Sequence, residues 1–214
     1  MKVKLLTIVF AIALSATTII AGAQKTYTQG VVTYTTNMRG QDVEVKDYFT
    51  QDSIAAVFTA GPATIKVLAD ANHKSFALLM DVPVASIKKA AIATPDEVSE
   101  MMAALPKLTF APGTDTKQIS GFNCKKVVVT DTKENKNYDV WITNDIEVSL
   151  AAIPLYYKAI GGFPVQYTAF SQGQVTDVTV TGVSEDVAPA GTFSIADDFD
   201  KITMADLRSM SGGG

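Results

Sequence analysis

The 214-residue sequence has one cysteine, one histidine and one tryptophan. A single cysteine, Cys124, excludes an intramolecular disulfide, so in an oxidising compartment stability must come from packing alone. A single histidine, His73, excludes a multi-histidine metal site and a histidine cluster. The G-x-S-x-G elbow, the H-E-x-x-H helix and the glycine-rich phosphate loop are all missing. Basic residues are also in the minority, 18 against 22 acids, for a net charge of −4. That balance argues against nucleic acid, whose binders carry basic patches. The expectation is a protein that is not an enzyme and needs no cofactor or metal. A hydrolase built on two facing carboxylates stays open as the weakest alternative, because sequence does not place acids in pairs.

The long apolar run stands at the start. Lys2 and Lys4 form a basic head, Leu5 to Ile20 an apolar core, and Ala21-Gly22-Ala23 an A-x-A cleavage site. The run is short of the ~20 residues of a bilayer span; the alternative reading is an uncleaved anchor. Residues 1–23 are expected to be a signal peptide cleaved after Ala23. Residues 24–214 then form one domain, periplasmic or secreted, with no transmembrane span and a frayed tail at Ser211 to Gly214. Loss of two lysines makes that domain more acidic.

The first half alternates as strands. Gly30 to Met38 is rich in Val and Thr, and Arg39-Gly40-Gln41-Asp42 is a turn. Val43, Val45, Asp47 and Phe49 then alternate with Glu44, Lys46 and Tyr48. Ile54, Ala56 and Phe58 follow, then Ile65, Val67 and Ala69. The turn Ala71 to Lys74 carries His73, which reads as a solvated turn residue. Phe76, Leu78 and Met80 continue the meander, apolar on both sides in places, as expected of covered faces or a cavity wall.

Helix signals are few. Thr94-Pro95-Asp96-Glu97 is a capping box with proline at the first helical position, and Val98, Met101, Met102 and Leu105 make one apolar face. Leu150 to Ile160 reads as a second short helix, with Ile153, Tyr156, Tyr157 and Ile160 at helical spacing. Thr203 to Met210 reads as a third, with Thr203 and Asp206 as cap pair. The cluster Asp197, Asp198 and Asp200 lacks calcium-loop spacing and reads as a solvated acidic turn. Ser171 to Gln174 is a further turn.

Ile119 to Thr143 reads as the central hairpin, two strands about the polar turn Asp131 to Asn137, with Cys124 a small buried hydrophobe. Its segments Ile119-Ser120-Gly121-Phe122-Asn123-Cys124-Lys125-Lys126 and Tyr138-Asp139-Val140-Trp141-Ile142-Thr143 resemble the secreted bacterial domain-of-unknown-function family 4412. That family is similar to the periplasmic lipoprotein-carrier (LolA/LolB-like) superfamily. The resemblance implies an α+β, mostly β fold: a curved antiparallel sheet, or half-barrel, with two or three short helices covering the concave face. It also implies a carrier-type function for an apolar ligand, a lipid or lipoprotein acyl chain. The alternative is an envelope module that binds another protein. Phe76, Leu78, Met80, Met101, Met102, Trp141, Ile153, Tyr156 and Tyr157 are the apolar residues expected around a cavity.

Overall fold

A computed structural model describes residues 24–38, 40–171 and 174–211. The predicted leader, Arg39 and Gln172-Gly173 in two predicted turns, and the glycines of the predicted tail lie outside the described residues. The strands are β1 (Lys25–Tyr27), β2 (Gly30–Met38), β3 (Gln41–Phe49), β4 (Ser53–Ala60), β5 (Ala63–Asp70), β6 (Phe76–Val82) and β7 (Ile87–Ile92). After helix α1 (Pro95–Ala103) come β8 (Leu108–Ile119), β9 (Phe122–Asp131), β10 (Lys136–Thr143) and β11 (Ile146–Val148). The chain finishes with β12 (Phe163–Ser171), β13 (Gln174–Ser184), β14 (Asp200–Thr203) and α2 (Met204–Ser211). The fold is α+β and mostly β, as expected.

Twelve strands form one open sheet in the order β14-β7-β6-β5-β4-β3-β2-β13-β12-β10-β9-β8, and β1 pairs with β11 in a separate two-stranded sheet. Every neighbour pair in the large sheet is antiparallel except β14 with β7. The hairpin β9–β10 therefore lies near one edge, beside the edge strand β8. The sheet's middle is a seam between β2 and β13, far apart in sequence.

The register sets which side chains share a face, because directly paired residues of neighbouring strands point the same way. One row runs Val32, Asp47, Ala56, Val67, Leu78 and Ala91 across β2 to β7. The next runs Tyr34, Val45, Phe58, Ile65, Met80 and Lys89. Gly30 starts β2 at φ 150°, where a Cβ would stand 2.1 Å from the Ser184 carbonyl oxygen at the end of β13. Glycine there lets the two strands of the seam meet closely.

The main core lies over β2, β3, β9, β10, β12 and β13. Phe49, Val129, Val140, Ile142, Tyr157, Phe163 and Val165 are buried in it. It is closed by the β1–β11 pair and by the segment after β11. That segment is the predicted second helix, and it forms two 3-10 turns, Leu150–Ala152 and Leu155–Tyr157, instead. Ile153 and Pro154 between them are extended (ψ 127° and 134°), so the apolar residues at helical spacing never complete an α-helical turn. A smaller core of Ala77, Leu79 and Ala90 packs on the other face, under Ile195 and Phe199.

Helix α1 has the predicted capping box: Thr94 Oγ1 accepts from the Glu97 amide at 3.2 Å, and Glu97 Oε2 accepts from the Thr94 amide at 2.9 Å. Thr203 and Asp206 cap α2 in the same reciprocal way. Helix α2 follows edge strand β14, and its Arg208 reaches Glu97 of α1 at 3.6 Å. Both helices thus belong to the β7–β14 end of the sheet, and the main core is roofed by the 3-10 segment. Among the described residues no helix is long and apolar enough to cross a membrane.

Candidate functional site

The 3-10 segment acts as a strap across the sheet. Ser149 at its start accepts from the Ala151 amide, donates to the Thr50 carbonyl, and is held by its own amide to the Tyr27 carbonyl at 2.9 Å. At its far end the Tyr157 hydroxyl donates to the Thr168 carbonyl of β12 at 2.7 Å, in a fully buried position. The Tyr156 hydroxyl accepts from the Phe170 amide at 3.1 Å. The Tyr156, Tyr157, Tyr167 and Phe170 rings meet edge to face, with centroids 4.8 to 5.5 Å apart.

Between strap and sheet is a cavity of about 200 Å³. Most of its lining is apolar: Val32, Ile54, Ile153, Phe163, Val178 and Val180 among others. Its polar lining is Asp47, His73, Tyr34, Tyr156 and Tyr167. A mostly apolar cleft with a few placed polar groups is the usual form of a small-ligand site, although ~300–1,000 Å³ is typical. The apolar rows of β4 to β6 continue from it on the same face. Phe58, Ile65, Val67, Leu78 and Met80 there are half-buried, neither closed core nor wet surface.

Asp47 stands in the row between Val32 and Ala56, so no side-chain donor flanks it on either strand. No described residue donates a hydrogen bond to it, and its Oδ1 is sealed from solvent without a partner. Burial raises its carboxyl pKa to about 7. His73 enters from the β5–β6 turn. Asp70 builds that turn by accepting from the amides of Asn72 (2.8 Å), Lys74 (2.9 Å) and Ser75 (2.6 Å) and from the Ser75 hydroxyl (2.7 Å). These bonds hold the Asp70 carboxyl below its ordinary range. They hold His73 in the left-handed region at φ 53°.

The His73 Nε2 is also buried without a partner. Burial first, and then the Lys158 charge, lower its pKa, so the ring is neutral near pH 7. Three buried side-chain polar atoms lack a partner among the described residues, and two of them, on Asp47 and His73, belong to this one cavity. An unsatisfied buried polar group costs about 1–3 kcal/mol, so their coincidence marks a site shaped for something other than stability. The sequence carried one signal of it: Asp47 is a charge in phase with Val45 and Phe49. His73, read as a solvated turn residue, is in the turn but not solvated at Nε2.

The predicted cavity residues divide. Ile153 and Tyr156 line the cavity, and Tyr157 is buried behind them. Leu78 and Met80 lie on the apolar rows that lead away from it. Phe76 lines a neighbouring cleft of about 320 Å³ with Leu68 and Ile195. Met101 and Met102 are half-buried on α1. Trp141 points to the opposite face of β10 from Val140 and Ile142, with the Lys117 ammonium 4.1 Å from its ring centroid.

Cys124 is buried in β9, and burial pushes its thiol pKa up. Asp198 and Asp200 pair with Lys88 and Lys89 at 2.7 and 2.8 Å. The acidic cluster is thus tied to β7 by lysines.

These observations define an open-sheet β domain with one roofed, polar-tipped cavity. No family model matches the chain, and no curated protein sequence matches it. Among solved structures the chain is similar to one described as "Structure of PNGF-II in C2 space group", at 15% identity and a TM-score of 0.49. The similarity covers 86% of this chain and 33% of that one, so this chain spans about a third of its length.

Proposed function

We propose that the protein is a secreted or periplasmic, non-catalytic carrier for a small amphiphile. The single observation that supports this reading is the continuity of one sheet face. A roofed cavity lined by Val32, Tyr34 and Ile54 shares its sheet face with rows of half-buried apolar side chains, from Phe58 and Ile65 to Leu78 and Met80. Apolar area removed from water is worth about 25 cal/mol per Å², so a chain laid along these rows is held without directional contacts. The small cavity favours a single slender chain over a diacyl anchor. The resemblance of the hairpin segments to family 4412, itself similar to the carrier superfamily, supports the same reading by analogy at the level of the fold.

Binding fits the geometry better than catalysis does. The Asp47 Oδ1 and the His73 Nε2 line the cavity without a hydrogen-bond partner, so neither is held by a second group in the way that orients a general acid or base.

The test is native mass spectrometry of protein secreted by its own host, with organic extraction of a parallel sample. The expected result is a bound single-chain lipid or fatty derivative near unit stoichiometry. It is lost in Leu78→Asp, folded by circular dichroism, and kept in Trp141→Ala. Equal retention in both variants sinks the assignment of this face. A bare mass that stays bare after incubation with lipids makes an envelope protein the partner to seek.

A further inference from the structure

We infer that the cavity recognises a protonated amine at the head of its ligand, with the Asp47 carboxylate as counter-ion and the surrounding aromatic rings as a cage. This rests on the cavity reading above and specifies the polar end of the occupant. The argument begins with charge. Asp47 is the one carboxylate lining the cavity among the described residues, and no described cation pairs with it. Asp47 is half-buried with its Oδ1 sealed from water, and a carboxylate oxygen so placed with neither hydrogen bond nor counter-charge is disfavoured. A neutral donor relieves only the missing hydrogen bond, whereas an ammonium supplies bond and charge together.

The other groups facing Asp47 agree. Tyr34 from β2, Tyr167 from β12 and Tyr156 from the strap all line the cavity. Burial raises the pKa of each hydroxyl, and the Asp47 charge adds to the rise at Tyr34 and Tyr167. They stay neutral and bring no rival anion. With Phe163 they offer ring surface, which attracts a cation by its quadrupole. His73, from the β5–β6 turn, is neutral near pH 7 and brings no rival cation, and the Lys158 charge that lowers its pKa makes no ion pair with Asp47. The Asp47 row then leads through Ala56 to Val67 and Leu78, which suits an alkyl chain on the amine.

The experiment is calorimetric titration of the mature protein with n-octylamine, 1-octanol and octanoate, which share a chain and differ at the head. The amine is expected to bind at least about tenfold tighter than the alcohol, the range of a charge-assisted hydrogen bond, with octanoate weakest. Asp47→Asn, a near-isosteric change at a residue that holds nothing else, should remove the amine preference and keep octanol binding. Amine affinity should rise from about pH 6 to about pH 8 as Asp47 loses its proton, and binding at pH 6 should release a proton.

Equal affinities for amine and alcohol, or an amine preference that survives in Asp47→Asn, overturn the inference. Tightest binding by octanoate also overturns it, because Asp47 then acts as a protonated donor. Octanol binding that is unaffected when Ala169→Trp fills the cavity, or no binding by any probe, overturns the cavity reading as well.

Discussion

Asp47 and His73 look into the same cavity, one from β3 and one from the β5–β6 turn, and they do not pair with each other. Each is a polar group in apolar surroundings with an atom left unbonded. Their effects on stability run in opposite directions with pH, which makes them separable.

Asp47 holds its proton up to about pH 7 in the fold but only to its ordinary 3.8 when unfolded. Between those values the native state binds more protons, so this group's contribution falls as pH rises, by at most about 1.4 kcal/mol per unit. His73 has its pKa lowered, so its contribution is present at high pH and lost as pH falls through its unfolded value of 6.5. Asp70, Asp198 and Asp206, with lowered values, matter only in more acid solution, as pH falls below 3.8. Urea denaturation from pH 4 to 8 should therefore show Asp47→Asn gaining on the natural protein with rising pH. Parallel profiles would mean that the Asp47 Oδ1 is not sealed from water.

Tyr157 anchors the strap. Tyr157→Phe leaves the Thr168 carbonyl without its 2.7 Å donor and should cost about 1–3 kcal/mol. Tyr157→Ala also empties a core position and should cost about 3–5 kcal/mol. Denaturation midpoints read both, and octanol binding should fall in Tyr157→Ala because the cavity loses its roof.

Asp70 holds the β5–β6 turn through three amides and a hydroxyl. Asp70→Ala should cost about 1.5–3 kcal/mol, as expected for bonds to a charged group. It should also raise solvent exchange at His73, visible in its imidazole NMR signals. An unmoved His73 signal would mean that the turn is held by the strands alone.

The seam between β2 and β13 admits no side chain at Gly30. Gly30→Ala would place a Cβ 2.1 Å from the Ser184 carbonyl oxygen, a backbone collision at a φ that alanine avoids. The expected result is a loss of several kcal/mol or failure to fold, about the size of the largest single-residue effects. Thr94→Ala at the α1 cap, by contrast, should cost about 1 kcal/mol and leave ligand binding intact.

Strands with one apolar side were legible, because alternation survives whatever the strand pairs with: β2 to β6, β9, β10, β12 and β13 follow it. Capping boxes at Thr94 and Thr203 were legible because their chemistry is local. The short parallel pairings of β1 with β11 and β7 with β14 were not, since each depends on a partner distant in sequence. Ile87 to Ile92 carries two adjacent lysines and two adjacent alanines, which hide its period. The strap misled because Ile153, Tyr156, Tyr157 and Ile160 have helical spacing, while Pro154 and its neighbour are extended. Asp47 was visible as a charge in an apolar phase, but its lack of a partner is a fact of three strands and the strap.

The sheet's middle joins segments far apart along the chain: the Thr36 hydroxyl donates to the Asp177 carbonyl across 141 positions. Contacts of such separation form slowly, because a long loop must close before any of them is rewarded. The cavity draws its walls from both sides of that seam and its roof from the strap between. The cavity is therefore completed late in folding, and whether it is occupied reports on whether the seam has closed.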